Sequence, residues 1–157
     1  MSVKDKILVY AYGNPGRQDD GLGAALIKRL DQYLEASPAN NIVTDTNYQL
    51  NIEDAATVAE ASMVIFADAS IEDIEAYSFT EVKPNDARVE FSMHAVSPAF
   101  VIDLCSKIYG AAPPAYLLHI KGYEWDFREE LTDAALANLD KAFAFLINFL
   151  RKQNHIE

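Results

Sequence analysis

Residues 7–30 read Ile7-Leu8-Val9-Tyr10-Ala11-Tyr12-Gly13-Asn14-Pro15-Gly16-Arg17-Gln18-Asp19-Asp20-Gly21-Leu22-Gly23-Ala24-Ala25-Leu26-Ile27-Lys28-Arg29-Leu30. The apolar run at the start predicts a buried strand. Gly13-Asn14-Pro15-Gly16 is a dense cluster of turn residues that ends it. An apolar-periodic segment from Leu22 to Leu34 then predicts a helix. The stretch is therefore a tight strand-to-helix turn at the carboxyl end of a first parallel strand, where open α/β sheets place ligands and catalysis. Its adjacent acids, Asp19 and Asp20, argue against a phosphate cradle, because carboxylates at a helix start repel an anion that the helix dipole would otherwise attract. They suit a metal site or acid/base chemistry.

The 157 residues are enough for one domain with a substantial core. Half of them are apolar, as in a globular chain, and the formal net charge of -11 argues against nucleic acid as a partner. With Cys105 as the single cysteine, no internal disulfide can form and a reducing, cytoplasmic setting is expected. The opening MSVKDK is charged and carries no signal-peptide pattern. No apolar run approaches membrane-spanning length.

Outward from the opening stretch, strands and helices alternate. The first strand is expected over Lys6–Tyr12 and the first helix over Asp19–Leu34, with Asp19 as its N-cap. Ser37-Pro38 breaks that helix. A short strand, Ile42–Thr46, leads through Asn47-Tyr48-Gln49-Leu50 into a helix from about Asn51 or Ile52 to Ala61. Met63–Ala67 is the clearest buried strand, ending at Asp68-Ala69-Ser70. Ser78–Lys83 and Ala87–Ser92, with Pro84-Asn85-Asp86 between them, predict a hairpin. Ser97-Pro98 is an N-cap with proline at the first helical position. The helix it opens runs to Tyr109 and stops at Gly110, and Pro113-Pro114 keeps it from resuming. Tyr116–Lys121 is the last strand. Thr132 caps a C-terminal helix through Lys152 whose apolar positions Leu136, Leu139, Phe143, Leu146, Ile147 and Leu150 keep helical spacing. The alternation predicts an α/β three-layer sandwich: a mostly parallel twisted sheet, helices on both faces, right-handed crossovers and an antiparallel edge at the hairpin.

Three side chains fall at strand exits in this layout: Asp20 past the first strand, Asp68 past the third, and His94 past the strand before the third helix. In a parallel sheet those exits share one edge. Two carboxylates and an imidazole are hard oxygen and nitrogen donors that suit a divalent ion such as zinc or nickel with open positions for substrate. They suit a general acid/base cluster equally well. Each residue also has a purely structural role open to it. Asp19 and Asp20 can cap a helix, Asp68 can form an Asx turn, and a lone histidine before a helix can be structural. His119 reads as a satisfied core histidine, Arg17 as a solvated loop charge, and Cys105 as a small buried hydrophobe.

The Gly13–Gly23 stretch resembles the signature of the hydrogenase maturation endopeptidases. An apolar strand followed by Asp68-Ala69 is similar to that family's second motif, and Ser92-Met93-His94 before a helix to its third. Gly122-Tyr123-Glu124-Trp125 with Leu131-Thr132-Asp133-Ala134-Ala135 resembles its last loop and the start of its final helix. The resemblance covers nearly the whole chain in order. It implies a single maturation-protease-like domain over residues 1–157, of the phosphorylase/hydrolase-like fold. The implied activity is that of a cytoplasmic endopeptidase removing a C-terminal extension from a nickel-loaded hydrogenase large-subunit precursor. The family's metal-binding acids and histidine map by motif onto Asp20, Asp68 and His94. The metal would be nickel carried by the substrate, or zinc or another divalent ion at the same place. Two loops depart from the family pattern. Thr46-Asn47-Tyr48-Gln49 lacks the usual glycines, and Ser70-Ile71-Glu72-Asp73-Ile74-Glu75 lacks a Pro-Gly pair.

Two other classes share some of these features. Peptidyl-tRNA hydrolases also carry a Gly-Asn-Pro-Gly turn after their first strand, but need a histidine shortly after it; Arg17 to Leu34 has none. A metal-dependent recognition module that binds a hydrogenase-like partner without cleaving it would keep the same three ligands with altered loops.

Overall fold

The computed structural model describes residues 5–84 and 96–154. Five strands form one sheet in the order β2-β1-β3-β5-β4. They are β1 (Ile7–Tyr12), β2 (Ile42–Asn47), β3 (Met63–Ser70), β4 (Tyr77–Glu81) and β5 (Ala115–Lys121). The first three and β5 run parallel, and β4 closes one edge antiparallel to β5. The helices are α1 (Leu22–Ala36), α2 (Asp54–Ala59), α3 (Pro98–Tyr109) and α4 (Asp133–Asn154).

Alternation along the strands sorts the core into two halves. On one face Ile7, Val9, Ala11, Ile65, Ala67, Leu118 and Ile120 pack against Leu22, Leu26 and Leu30 of α1 and Leu139, Leu146 and Leu150 of α4. On the other, Leu8, Tyr10, Val64, Phe66 and Ala115 pack against Ala55 and Val58 of α2 and Val101, Ile102 and Cys105 of α3. The expected three layers are present. The long apolar runs of β1 and β3 follow from burial on both faces.

The chain winds from β1 through α1 to β2 on one side, then through α2 back across β1 to β3 on the other. The strand order therefore reverses at β1. The crevice between the carboxyl ends of β1 and β3 is the switch point at which this architecture holds ligands. Gly23 permits α1 to approach there, since a Cβ on it would stand 3.0 Å from the Tyr12 carbonyl oxygen and 3.2 Å from that of Ala67.

Three boundaries differ from expectation. Strand β3 continues through Asp68 to Ser70 because β5 supplies partners that far, Asp68 opposite His119 and Ser70 opposite Lys121. The turn comes later, where the Ser70 hydroxyl accepts from the Glu72 N–H. Helix α2 is short, since Asn51–Glu53 form turns whose carbonyls accept from Asp54, Ala55 and Ala56. Helix α1 begins at Leu22, after a 3-10 turn over Gln18–Gly21. The expected strand Ala87–Ser92 lies outside the described residues. Ser97 caps α3 by accepting from the Phe100 N–H, and Gly110 ends it in the left-handed conformation at φ 83°, both as expected.

Candidate active site

The site is built around the turn that leaves β1. Gly13 sits at φ 137°, and a Cβ there would lie 2.2 Å from the Asp20 carbonyl oxygen, so the turn admits only glycine. The Asp20 carboxylate accepts from the Asn14 N–H at 2.7 Å, and the Asn14 side chain accepts from the Gly16 N–H at 2.9 Å. These bonds hold Asp20 at the mouth of the crevice.

The 3-10 turn decides what the two adjacent acids do. At three residues per turn, neighbours point about 120° apart. Asp20 faces the sheet edge, while Asp19 turns inward and is 0% exposed. Contrary to the expectation from the sequence, Asp19 does not cap α1; the N-cap position is Gly21, without a side-chain bond. Instead its carboxylate accepts four hydrogen bonds from the segment after β5. They come from the N–H groups of Tyr123 (2.8 Å), Glu124 (3.1 Å) and Thr132 (2.8 Å) and from the Thr132 hydroxyl (2.8 Å). Thr132 in turn caps α4 by accepting from the Ala135 N–H. Gln18, held at φ 47°, donates its N–H to the Arg128 carbonyl and accepts from the Asp126 N–H. Arg17 is no free loop charge. Its guanidinium donates to the Trp125 carbonyl at 3.2 Å and lies 4.8 Å from the Phe127 ring centroid. The loop after β5 is thus fastened to Arg17–Asp19, and Arg17, Asp20 and Trp125 line a cleft of about 280 Å³.

Asp68 approaches from the neighbouring strand. On β3 it follows Val64 and Phe66 on the α2/α3 face, at the carboxyl edge. Burial first, and then the charge of Asp20, push its carboxyl up to about 7, against a hydrogen bond from the Ala69 backbone. The charge of Asp20 thus acts on the Asp68 carboxyl across the switch point. Beside them the Tyr12 hydroxyl is pushed far above the usual phenol range, by burial and then by the Asp68 charge. A divalent cation fits this pair, since it would neutralise the repulsion and take hard oxygen donors. Among the described residues no group of three or more acid, histidine or cysteine side chains is close enough to hold an ion. His94, expected from the sequence as the third ligand, lies outside the described residues.

His119 is no core residue. It stands half-buried on β5 directly opposite Asp68, and burial pushes its imidazole below the usual histidine range, with Glu72 acting the other way. Cys105 is 0% exposed among the side chains of α2 and α3, and burial pushes its thiol up.

The sheet order and its layers define the class of fold. No known family profile matches the chain, and no curated protein matches it in sequence. Solved structures do. The hydrogenase maturating endopeptidase HybD from E. coli superposes with a TM-score of 0.77 at 18% identity, over 94% of this chain and 93% of that one. The [NiFe] hydrogenase maturation protease HycI from Thermococcus kodakarensis KOD1 gives 0.71 at 18% identity, over 94% of each chain. An endopeptidase from Escherichia coli gives 0.74 at 20% identity, over 97% of this chain and 95% of that one. The fold is that of the hydrogenase maturation proteases.

Proposed function

We propose that this chain is an endopeptidase that removes the C-terminal extension of a hydrogenase large-subunit precursor after nickel insertion. What supports this reading is the charge of Asp20, which lines a cleft at the switch point, acting on Asp68 from the neighbouring strand, in a fold shared with solved maturation proteases. Asp20, Asp68 and His94 are the residues that would engage the metal, and the nickel arrives as cargo of the substrate.

Peptide hydrolysis needs a water nucleophile, a base for its proton and an acid for the leaving amine. A carboxylate at the cleft takes the proton from water as its oxygen bonds to the scissile carbonyl carbon. The same proton is then delivered to the amine nitrogen as the C–N bond breaks. Tying the act to the cargo follows from the repulsion between the acids. An ion bound to the precursor draws the carboxylates together and seats the adjoining extension against the cleft of Arg17, Asp20 and Trp125.

A second reading keeps recognition without cleavage. Thr46–Gln49 and Ser70–Glu75, which flank the site, depart from the family pattern, and Tyr48 and Ile71 on them are exposed. One experiment separates the two. The protein is incubated with nickel-loaded and nickel-free large-subunit precursors and the products are weighed by mass spectrometry. A mass loss confined to the nickel-loaded precursor is expected. A stable complex without mass loss supports the recognition module, and neither cleavage nor binding of any precursor rejects both.

A further inference from the structure

The cleft beside Asp20 is lined by an acid, an aromatic ring and, in Arg17, a base. The Arg17 guanidinium is held on two sides. One N–H donates to the Trp125 carbonyl at 3.2 Å, and the group lies over the Phe127 ring, 4.8 Å from its centroid. Neither contact neutralises its charge. The ion pairs among the described residues belong to Arg29, Lys107 and Lys121. A guanidinium carries five N–H donors in a planar fork, and the bond to Trp125 uses one of them. Arg17 is exposed, so the rest of the fork is open to an incoming oxygen. Nor is this side chain needed to fasten the loop after β5. Gln18 and Asp19 do that, through bonds to Tyr123, Glu124, Asp126, Arg128 and Thr132.

We propose that Arg17 is a catalytic residue of the site: its guanidinium donates to the scissile carbonyl oxygen as negative charge develops there. The inference rests on the proposed endopeptidase activity and adds a residue to it. As the water oxygen bonds to the carbonyl carbon, its proton passes to a carboxylate and the C=O π pair moves onto the carbonyl oxygen. Asp20, in the same cleft, opposes that new charge, since like charges repel more strongly where water is partly excluded. A guanidinium offsets it, and one already seated on Trp125 and Phe127 does so without reorganising. The pair then returns to re-form C=O, the C–N bond breaks, and the amine nitrogen takes the proton. Arg17 keeps its own protons throughout, so it acts by charge and hydrogen bonding alone.

The test is single-turnover cleavage of a nickel-loaded large-subunit precursor by the full chain and its variants, over a range of enzyme concentrations. Arg17→Ala should lower the rate at saturation about 100-fold or more. The half-saturating concentration should stay within about 3-fold of wild type, because the lost interaction belongs to the transition state. Arg17→Lys, which keeps the charge without the fork, should fall between the two. Guanidinium ion added at a non-denaturing concentration should raise the rate of Arg17→Ala severalfold and leave the wild type unchanged. Trp125 is the one tryptophan of the chain, so the fluorescence of the free protein reports on the cleft wall, and its emission should match in wild type and Arg17→Ala. A wild-type rate in Arg17→Ala overturns this inference alone, as does a loss confined to half-saturation. So does a loss of rate that guanidinium fails to raise or that comes with shifted Trp125 emission, since the side chain would then be fastening the loop. No cleavage by the wild type overturns the endopeptidase reading itself and the inference with it.

Discussion

Asp68 should be a site at which the protein gives up stability for chemistry. Its carboxyl is raised from 3.8 to about 7, chiefly by burial and then by Asp20. Above pH 3.8 the unfolded chain has released a proton that the folded chain keeps until about pH 7. The folded state therefore binds more protons through this window, and stability falls as pH rises across it, levelling off above. At 1.36 kcal/mol per unit, the shift amounts to about 4 kcal/mol at most. Movement of the half-buried Asp20 and water at the open edge reduce it to roughly 2 kcal/mol. Asp68→Asn keeps the shape and removes the charge. In metal-free protein it should match the wild type near pH 4 and exceed it by about 2 kcal/mol at pH 8. Urea unfolding of both proteins at several pH values, with a chelator present, measures the gap directly. A gap that stays constant or shrinks between pH 4 and 8 would refute the argument that burial and the Asp20 charge raise the Asp68 carboxyl. Cleavage by the same variant should be lost.

Asp19→Ala should cost about 3–5 kcal/mol, because it orphans three backbone N–H groups and a hydroxyl around a fully buried position. Hydrogen exchange should show the Tyr123, Glu124 and Thr132 amides losing protection first, and unchanged protection there would contradict the clamp. His94→Ala should remove most Ni²⁺ affinity with little change in melting temperature; an unchanged isotherm in a destabilised variant would make His94 structural. Cys105→Ser should cleave at the wild-type rate and lose about 1 kcal/mol of stability, since the thiol is buried among the apolar side chains of α2 and α3 and donates to the Ala111 carbonyl. Loss of cleavage in a folded Cys105→Ser protein would call for a thiol mechanism. Ala76, at φ 66° before β4, should gain about 1 kcal/mol on replacement by glycine, read as a rise in the urea midpoint.

The layered α/β architecture was legible in the chain because it rests on local signals. Ile7–Tyr12 and Met63–Ala67 are apolar runs of strand length, Ser97-Pro98 and Gly110 bracket a helix, and the apolar positions of the last helix repeat at its period. Asp20 and Asp68 were legible as candidates for the same reason, since each follows a strand that its own residues announce. The sequence also suffices to exclude a disulfide within these residues and to disfavour an anionic polymer as partner, for these depend on composition alone. Tertiary structure decided the rest. Asp19 reads as a helix cap in isolation; only the docking of the segment after β5 turns it into a buried acceptor of four bonds from residues more than a hundred positions away. Asp68 reads as the residue after a strand, and only pairing with β5 carries that strand through it. His119 reads as core because its strand is buried, and nothing local says which strand lies beside it. Period-two alternation tells which residues of one strand share a face, but strand order and register, which bring Tyr12, Asp68 and His119 into one row, are set by long-range packing that no single segment encodes.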